Sequence, residues 1–167
     1  MKRQKRGKVF ETNSSSTHSI TIESGGLTAG ELRIAEDNKV HVTFGEFGWE
    51  VCDYSDQYEK LQYILTMCAC TEGRNCTSPD EFYETEGYKL ISSAVSEYCH
   101  CDGIEVESDI NIECYDNKIY LDFDGYIDHQ SCDYSSVAEF LKENYISSVE
   151  EFIFDNGIIV HTDNDNH

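Results

Sequence analysis

The most chemically loaded stretch of this sequence is residues 11–19, which combine a carboxylate, an amide, an imidazole and a run of hydroxyls (Glu-Thr-Asn-Ser-Ser-Ser-Thr-His-Ser). Consecutive serines have poor propensity for the interior of helices and strands, so the run predicts a loop whose side chains bond to the backbone or to a ligand. The candidate catalytic residues are its acid, its three serines and its histidine: Glu11, Ser14, Ser15, Ser16 and His18.

Two kinds of chemistry fit these residue types. An imidazole within hydrogen-bond reach of a hydroxyl activates it as a nucleophile, and His18 lies close enough in sequence to do so for any of the three serines. In a ribonuclease, His18 would instead act as the general base on a ribose 2′-hydroxyl, with Glu11 or a second histidine as the acid. The structural alternative is an ordinary tight turn, in which the hydroxyls bond to the backbone and His18 covers a sheet edge. All three interpretations remain open at this point.

A short basic segment precedes the loop and contrasts with the rest of the chain. Five of the 12 basic residues lie in it: Lys2, Arg3, Lys5, Arg6 and Lys8. Residues 1–8 are therefore predicted to form a flexible tail that could contact RNA or a phosphate. All 33 acidic residues follow position 8, so residues 9–167 have seven basic and 33 acidic residues, a formal charge of −26.

The size of this negative charge restricts the partners of the body. A strongly negative surface repels nucleic acid and attracts basic surfaces. The sequence therefore predicts a single acidic domain over residues 9–167 that binds a cationic partner, with improved solubility as the alternative reason for the acidity. At 167 residues the chain is long enough to bury a substantial core without a metal or a disulfide.

The cysteines provide a second candidate site. Two clusters contain potential zinc ligands: Cys68, Cys70 and Cys76 in the first, Cys99 and Cys101 in the second. Their spacing lacks the Cys-x-x-Cys pattern of zinc knuckles, and a helix over residues 79–98 would hold the clusters about 30 Å apart. No cofactor is predicted, and zinc is the alternative. Residues 1–25 have no apolar secretion segment and no stretch is long enough to span a membrane, so we expect a soluble cytosolic protein with reduced thiols.

The apolar pattern predicts an α+β fold. Alternation typical of half-buried strands occurs at residues 19–23, 31–35, 39–44, 104–106, 110–115 and 119–123, and residues 158–161 are predicted to form a last strand after a turn at 155–157. Helical spacing begins at residue 53, and Ser78-Pro79 starts a second helix that extends to about residue 98, with Gly87 as a point of interruption. Ser136 and Ser148 are expected to cap two short helices. The predicted architecture is antiparallel sheet segments packed on a central helical hairpin, followed by the two short helices.

Residues 8–20 (Lys-Val-Phe-Glu-Thr-Asn-Ser-Ser-Ser-Thr-His-Ser-Ile) resemble the N-terminal signature of a loose group of uncharacterised phage and mobile-element proteins from Gram-positive bacteria. Those proteins also tend to end in a segment like residues 149–166. In size and acidity the chain is similar to anti-CRISPR proteins that act on type II effectors. Some members of that class are acidic mimics of DNA that block the Cas9 channel, and others are thought to act on the guide RNA.

The resemblance implies a counter-defence function in the cytosol of a bacterial host. The expected partner is a cationic nucleic-acid-binding effector, Cas9 or its guide-RNA complex, with no membrane partner. A small ribonuclease or transferase that uses Ser14 to His18 is the enzymatic alternative. An acidic structural or regulatory phage protein is the third.

Overall fold

The structure is a computed structural model and describes residues 3–6, 16–48, 50–128 and 132–164. The helices are α1 (Gln57–Thr71), α2 (Pro79–Tyr83), α3 (Glu86–Cys99), α4 (Val137–Glu143) and α5 (Val149–Phe154), with a 3-10 turn at Gly73–Asn75. The strands are β1 (Arg3–Arg6), β2 (Ser16–Ile22), β3 (Val40–Val42), β4 (Glu46–Phe47), β5 (Cys52–Tyr54), β6 (Ile104–Val106), β7 (Ile110–Tyr115), β8 (Lys118–Phe123), β9 (Tyr126–Ile127) and β10 (Ile158–Asn164). The predicted α+β class is confirmed.

Helix α1 lies at the centre of the core. It begins at Asp56, whose carboxylate accepts hydrogen bonds from the next turn of backbone, and most of its side chains are buried. Lys60 is buried with them and donates to the backbone carbonyls of Asp155 at 2.7 Å and Ile158 at 3.4 Å. Burial lowers the pKa of this amine. Its hydrogen bonds tie α1 to the turn between α5 and β10.

The second helical segment is divided. Ser78 and Pro79 start α2 as predicted, but the single helix expected over residues 79–98 ends after Tyr83. A new cap at Thr85, whose hydroxyl accepts from the Tyr88 N–H, starts α3. The interruption therefore lies just before Gly87, which is inside α3.

Glu72 joins three helices. It follows the last turn of α1, and its carboxylate accepts from the Gly87 N–H at 2.8 Å in the first turn of α3. The other carboxylate oxygen accepts from the Val137 N–H at 3.0 Å, at the start of α4. A carboxylate at the N-terminus of a helix satisfies unpaired N–H groups and complements the helix dipole. The Glu72 side chain thus caps the N-termini of both α3 and α4.

The largest sheet joins the two ends of the described chain. Its order is β1-β2-β10-β5, and all of its pairs are antiparallel. β10 pairs with the whole of β2, from Ile158 opposite Ile22 to Asn164 opposite Ser16. The sheet contributes buried Ile20, Ile158 and Val160 to the core. Residues 16–20 and 160–164, which belong to the two segments that carried the sequence resemblance, are therefore neighbours in this sheet.

Two short strand pairs differ from the prediction of antiparallel segments. β3 pairs with β6 and β4 with β9, and both pairs are parallel. The hairpin predicted from residues 31–35 and 39–44 is reduced to its turn, where Asn38 has a φ of 63° and Ile34 makes a single bridge to Val40. β3 instead pairs with β6, and its two buried valines face the core.

The local predictions for the C-terminal half are confirmed. β7 and β8 form the expected hairpin, with Asp116 and Asn117 at positive φ in its turn. Ser136 and Ser148 cap α4 and α5 through hydroxyls that accept from the N–H three residues on. No helix in the described ranges is long and apolar enough to cross a membrane.

Candidate functional site

His18 lies on β2, and both of its ring nitrogens are engaged. Nε2 lies 3.2 Å from the carbonyl oxygen of Gly48, and Nδ1 lies 3.2 Å from the hydroxyl of Tyr63. A carbonyl can only accept, so the network assigns the proton to Nε2 and makes Nδ1 the acceptor from Tyr63. Tyr63 is on α1 and is itself buried, so the histidine links the large sheet to the central helix.

The surroundings of His18 favour the neutral form of its ring. Burial lowers the pKa of His18, and the smaller effects of the Gly48 carbonyl and the charge of Asp128 raise it without reversing the direction. The pKa of Tyr63 is raised well above its usual value by burial, so its hydroxyl remains a donor. A general base needs a free lone pair directed at the substrate. The lone pair on Nδ1 of His18 is occupied by the Tyr63 hydroxyl.

The other predicted catalytic residues are placed only in part. Glu11, Ser14 and Ser15 lie outside the described residues. Ser16 begins β2 opposite Asn164, so the last serine of the run belongs to a strand and not to the predicted loop. Of the five candidates, the structure thus brings Ser16 and His18 together on one strand.

The predicted basic tail also differs from expectation, because part of it forms a strand. Arg3, Lys5 and Arg6 lie in β1, which pairs antiparallel with β2, whereas residues 1–8 were expected to be a flexible tail. Arg6 is opposite Ser19, so the basic strand runs beside the strand that carries His18. Lys2 and Lys8 lie outside the described residues.

The candidate zinc ligands are dispersed. The sulfur of Cys68 contacts the Thr85 hydroxyl at 3.8 Å, at the start of α3, whereas Cys99 and Cys101 lie at the other end of that helix. Cys76 and Cys101 donate to backbone carbonyls, of Glu72 and Gly103 respectively. Within the described ranges no group of three or more histidine, cysteine or acidic side chains could hold a metal ion.

A thiol pair that the sequence did not indicate lies beside α1. Cys132 is buried, with its sulfur 3.8 Å from that of Met67, and it hydrogen-bonds to Cys70 one turn further along the helix. The bond from Cys132 lowers the pKa of Cys70 to about 7, assisted by the backbone at Ile127 and the charge of Arg74, although burial opposes this. The two cysteines are far apart in sequence, so no local pattern could have paired them.

Two further histidines, His41 and His161, form hydrogen bonds with carboxylates. His41 lies 2.9 Å from a carboxylate oxygen of Asp37 and 2.7 Å from one of Glu107, and these two bonds raise its pKa. His161 lies 2.5 Å from an oxygen of Asp53, and its other nitrogen lies 2.8 Å from the Thr21 hydroxyl. These pairs are stabilising surface contacts on the sheets.

The surface is dominated by carboxylates. Among the described residues Asp128 is the only buried acid. The few cations of the body compensate little of this charge: Lys60 is buried, Lys39 is paired with Glu105 at 2.6 Å, and Lys89 with Glu84 at 2.7 Å. Most of the negative charge of residues 9–167 is therefore not compensated by neighbouring cations.

No protein-family model, curated protein or solved structure matches this chain.

Proposed function

We propose that the chain is a counter-defence protein of a phage or mobile element that inhibits a nucleic-acid-guided effector, with Cas9 as the target, in the cytosol of a bacterial host. In this proposal the acidic body binds the cationic surface that Cas9 uses for DNA or RNA. The observation that carries the proposal is the charge of −26 over residues 9–167, which comes from 33 acidic and seven basic residues.

The position of the acidic side chains on the surface supports binding to a protein rather than to nucleic acid. Acidic side chains on the surface create a field that attracts a basic surface and accelerates its association. The same field repels the phosphates of nucleic acid. A protein with a basic channel for nucleic acid is the partner class that both effects favour.

The surroundings of His18 support binding over catalysis. A ribonuclease would need a nitrogen of this ring to take a proton from a 2′-hydroxyl. In the structure Nδ1 accepts from the buried Tyr63 hydroxyl and Nε2 donates to the Gly48 carbonyl. The ring therefore has the contacts of a structural residue that joins β2 to α1.

The experiment measures association and inhibition together. Purified protein is incubated with Cas9, alone and loaded with guide RNA, and target cleavage is followed as the molar ratio rises. The proposal expects stoichiometric inhibition that is unchanged in His18→Ala, provided that circular dichroism shows the variant to be folded. His161→Ala is the matched control, because its ring also bonds to side chains of the large sheet.

Two results would contradict this proposal. One is no association with either form of Cas9 and no loss of cleavage. The other is catalytic turnover of guide RNA that His18→Ala abolishes and His161→Ala retains, which would select the ribonuclease instead.

A further inference from the structure

The β7–β8 hairpin carries one continuous apolar face. Residues directly opposite each other in an antiparallel pair point to the same side of the sheet. The register places three apolar pairs on one side: Ile110 with Phe123, Ile112 with Leu121, and Cys114 with Ile119. We call the outer four of these residues, Ile112, Cys114, Ile119 and Leu121, the arm face.

The core covers the root of this face and partly covers Leu121, whereas Ile112, Cys114 and Ile119 are exposed. Phe123 packs at the root, with ring centroids 5.3 Å from Phe44 and 4.9 Å from Phe82. Further out, Ile112 is 60% exposed and Ile119 is 48% exposed. Each square ångström of apolar surface left in water forgoes about 25 cal/mol. Exposed apolar side chains that are contiguous, rather than scattered, mark interaction sites.

The hairpin is also held in a defined position. At its root, a side chain on Gly125 would meet the Phe44 Cβ at 2.5 Å and the Gly45 carbonyl oxygen at 2.8 Å, so two backbone segments are in close contact there. At its tip, Asp116 and Asn117 have φ values of 50° and 59°, the positive pair typical of a tight hairpin turn. An arm that is already ordered loses less entropy when it binds.

Acidic residues lie on the side of the hairpin opposite the arm face and at its tip. Glu113 and Asp122 lie on the opposite side of the hairpin, as the register requires, and Asp116 lies at the tip. The described residues 104–128 contain a single cation, Lys118. A groove that encloses the arm would therefore meet apolar side chains on one side of it and carboxylates on the other.

We propose that the β7–β8 hairpin is an arm that inserts into a groove of a cationic protein, with its arm face on an apolar wall and its carboxylates against basic residues. Charge complementarity selects this occupant. A second copy of the chain would bring another formal charge of −21 to the same interface, which opposes self-association. The inference rests on the proposed function, and it assigns the arm as the contact that gives the complex its specificity.

The test compares two double variants for binding to guide-loaded Cas9 by biolayer interferometry. Ile112→Ser with Ile119→Ser removes the apolar contacts of the arm face. Leu27→Ser with Val51→Ser is the matched control, because these side chains are 58% and 74% exposed elsewhere on the surface. We expect the arm variant to weaken binding about 10- to 100-fold and the control variant to leave it within about twofold.

A charge variant tests the second part of the proposal. Glu113→Gln with Asp122→Asn keeps the shape of the arm and removes two charges from its far side. We expect weaker binding, with a larger loss at low salt, because screening already reduces the contribution of these charges at high salt. Circular dichroism and thermal unfolding of all three variants establish that each is folded.

Each outcome decides between the two proposals. If wild type binds and the arm variant binds equally well, the arm inference is overturned while the proposed function stands. If wild type does not bind Cas9, the proposed function fails and this assignment of the partner fails with it. If sedimentation shows a wild-type dimer that the arm variant abolishes, the occupant is a second copy, and the assignment of a cationic partner is overturned.

Discussion

The β2–β10 pair and the β7–β8 hairpin have similar sequence patterns and opposite surroundings. Both are antiparallel, and β2 alternates apolar with polar residues as β7 does. Ile158 of β10 is fully buried, whereas Ile112 of β7 is 60% exposed. β10 has a strand on either side, whereas among the described residues β7 pairs with β8 and with no other strand. Alternation thus indicates a strand with one apolar face, and the rest of the fold decides whether the protein or a partner covers that face.

The largest loss of stability is expected from truncating a buried side chain of β10. Ile158→Ala removes buried side-chain atoms at the pair with Ile22, where neighbouring atoms cannot refill the space. We expect the free energy of unfolding to fall by about 2–5 kcal/mol, measured by urea denaturation. A loss below about 1 kcal/mol would contradict the packing of β10 against the core.

A smaller loss of stability is expected from removing the Glu72 carboxylate, which bonds to the first turns of α3 and α4. Glu72→Ala leaves the N–H groups of Gly87 and Val137 without their carboxylate acceptor. We expect a loss of about 1–3 kcal/mol in the free energy of unfolding. Glu86→Ala is the control, because Glu86 is an exposed acid in the first turn of α3 and is expected to change stability by about 0.5 kcal/mol or less.

The pH dependence of two histidines distinguishes the inside of the protein from its surface. The pKa of His18 is lowered from 6.5 in the folded state, so its neutral form stabilises the fold above pH 6.5, and this stabilisation is lost as the pH falls toward the folded pKa. The pKa of His41 is raised from 6.5, so its stabilisation is complete below pH 6.5 and is lost as the pH rises through the folded pKa.

Unfolding at pH 5.5 and 7.5 measures the difference. Relative to wild type, we expect His18→Ala to lose more stability at pH 7.5 than at pH 5.5, and His41→Ala to lose more at pH 5.5 than at pH 7.5. Both differences should be smaller than the loss from Glu72→Ala. The same sign of pH dependence for the two variants would contradict the contrast between a buried ring and a carboxylate-paired ring.

The smallest loss of stability is expected from truncating an exposed side chain of β7. Ile112→Ala should change the free energy of unfolding by about 0.5 kcal/mol or less, because its side chain is already mostly in water. Ile158→Ala is the matched substitution, because it removes the same atoms from a buried isoleucine. If the two substitutions destabilise the protein equally, the arm face is covered within the free protein and is not a docking surface.

The features that the sequence predicted are the local ones. The turn at Asp116-Asn117 and the caps at Ser136 and Ser148 depend on residues within four positions of each other, so side-chain chemistry alone determines them. The sequence predicts the interruption of the second helix at Gly87. In the structure the break lies before Glu86, because the hydroxyl of Thr85 caps a new helix.

Contacts between distant segments could not be predicted in this way. The valines of β3 indicated a buried strand, but nothing near them specified Ile104 and a parallel register. The candidate site shows the same limit: His18 was recognised from its neighbours in sequence, whereas its hydrogen bonds to Gly48 and Tyr63 depend on the complete fold. These partners are the observation that favours a structural role for His18 in the proposed function.

The central claim is that the acidic surface binds the nucleic-acid channel of Cas9, and the most direct test is the affinity of the complex as salt is varied. We predict that the dissociation constant rises steeply between roughly 50 and 200 mM salt and that competing DNA displaces the protein. An affinity that is independent of salt and unaffected by DNA, or no binding at any salt concentration, would contradict the claim.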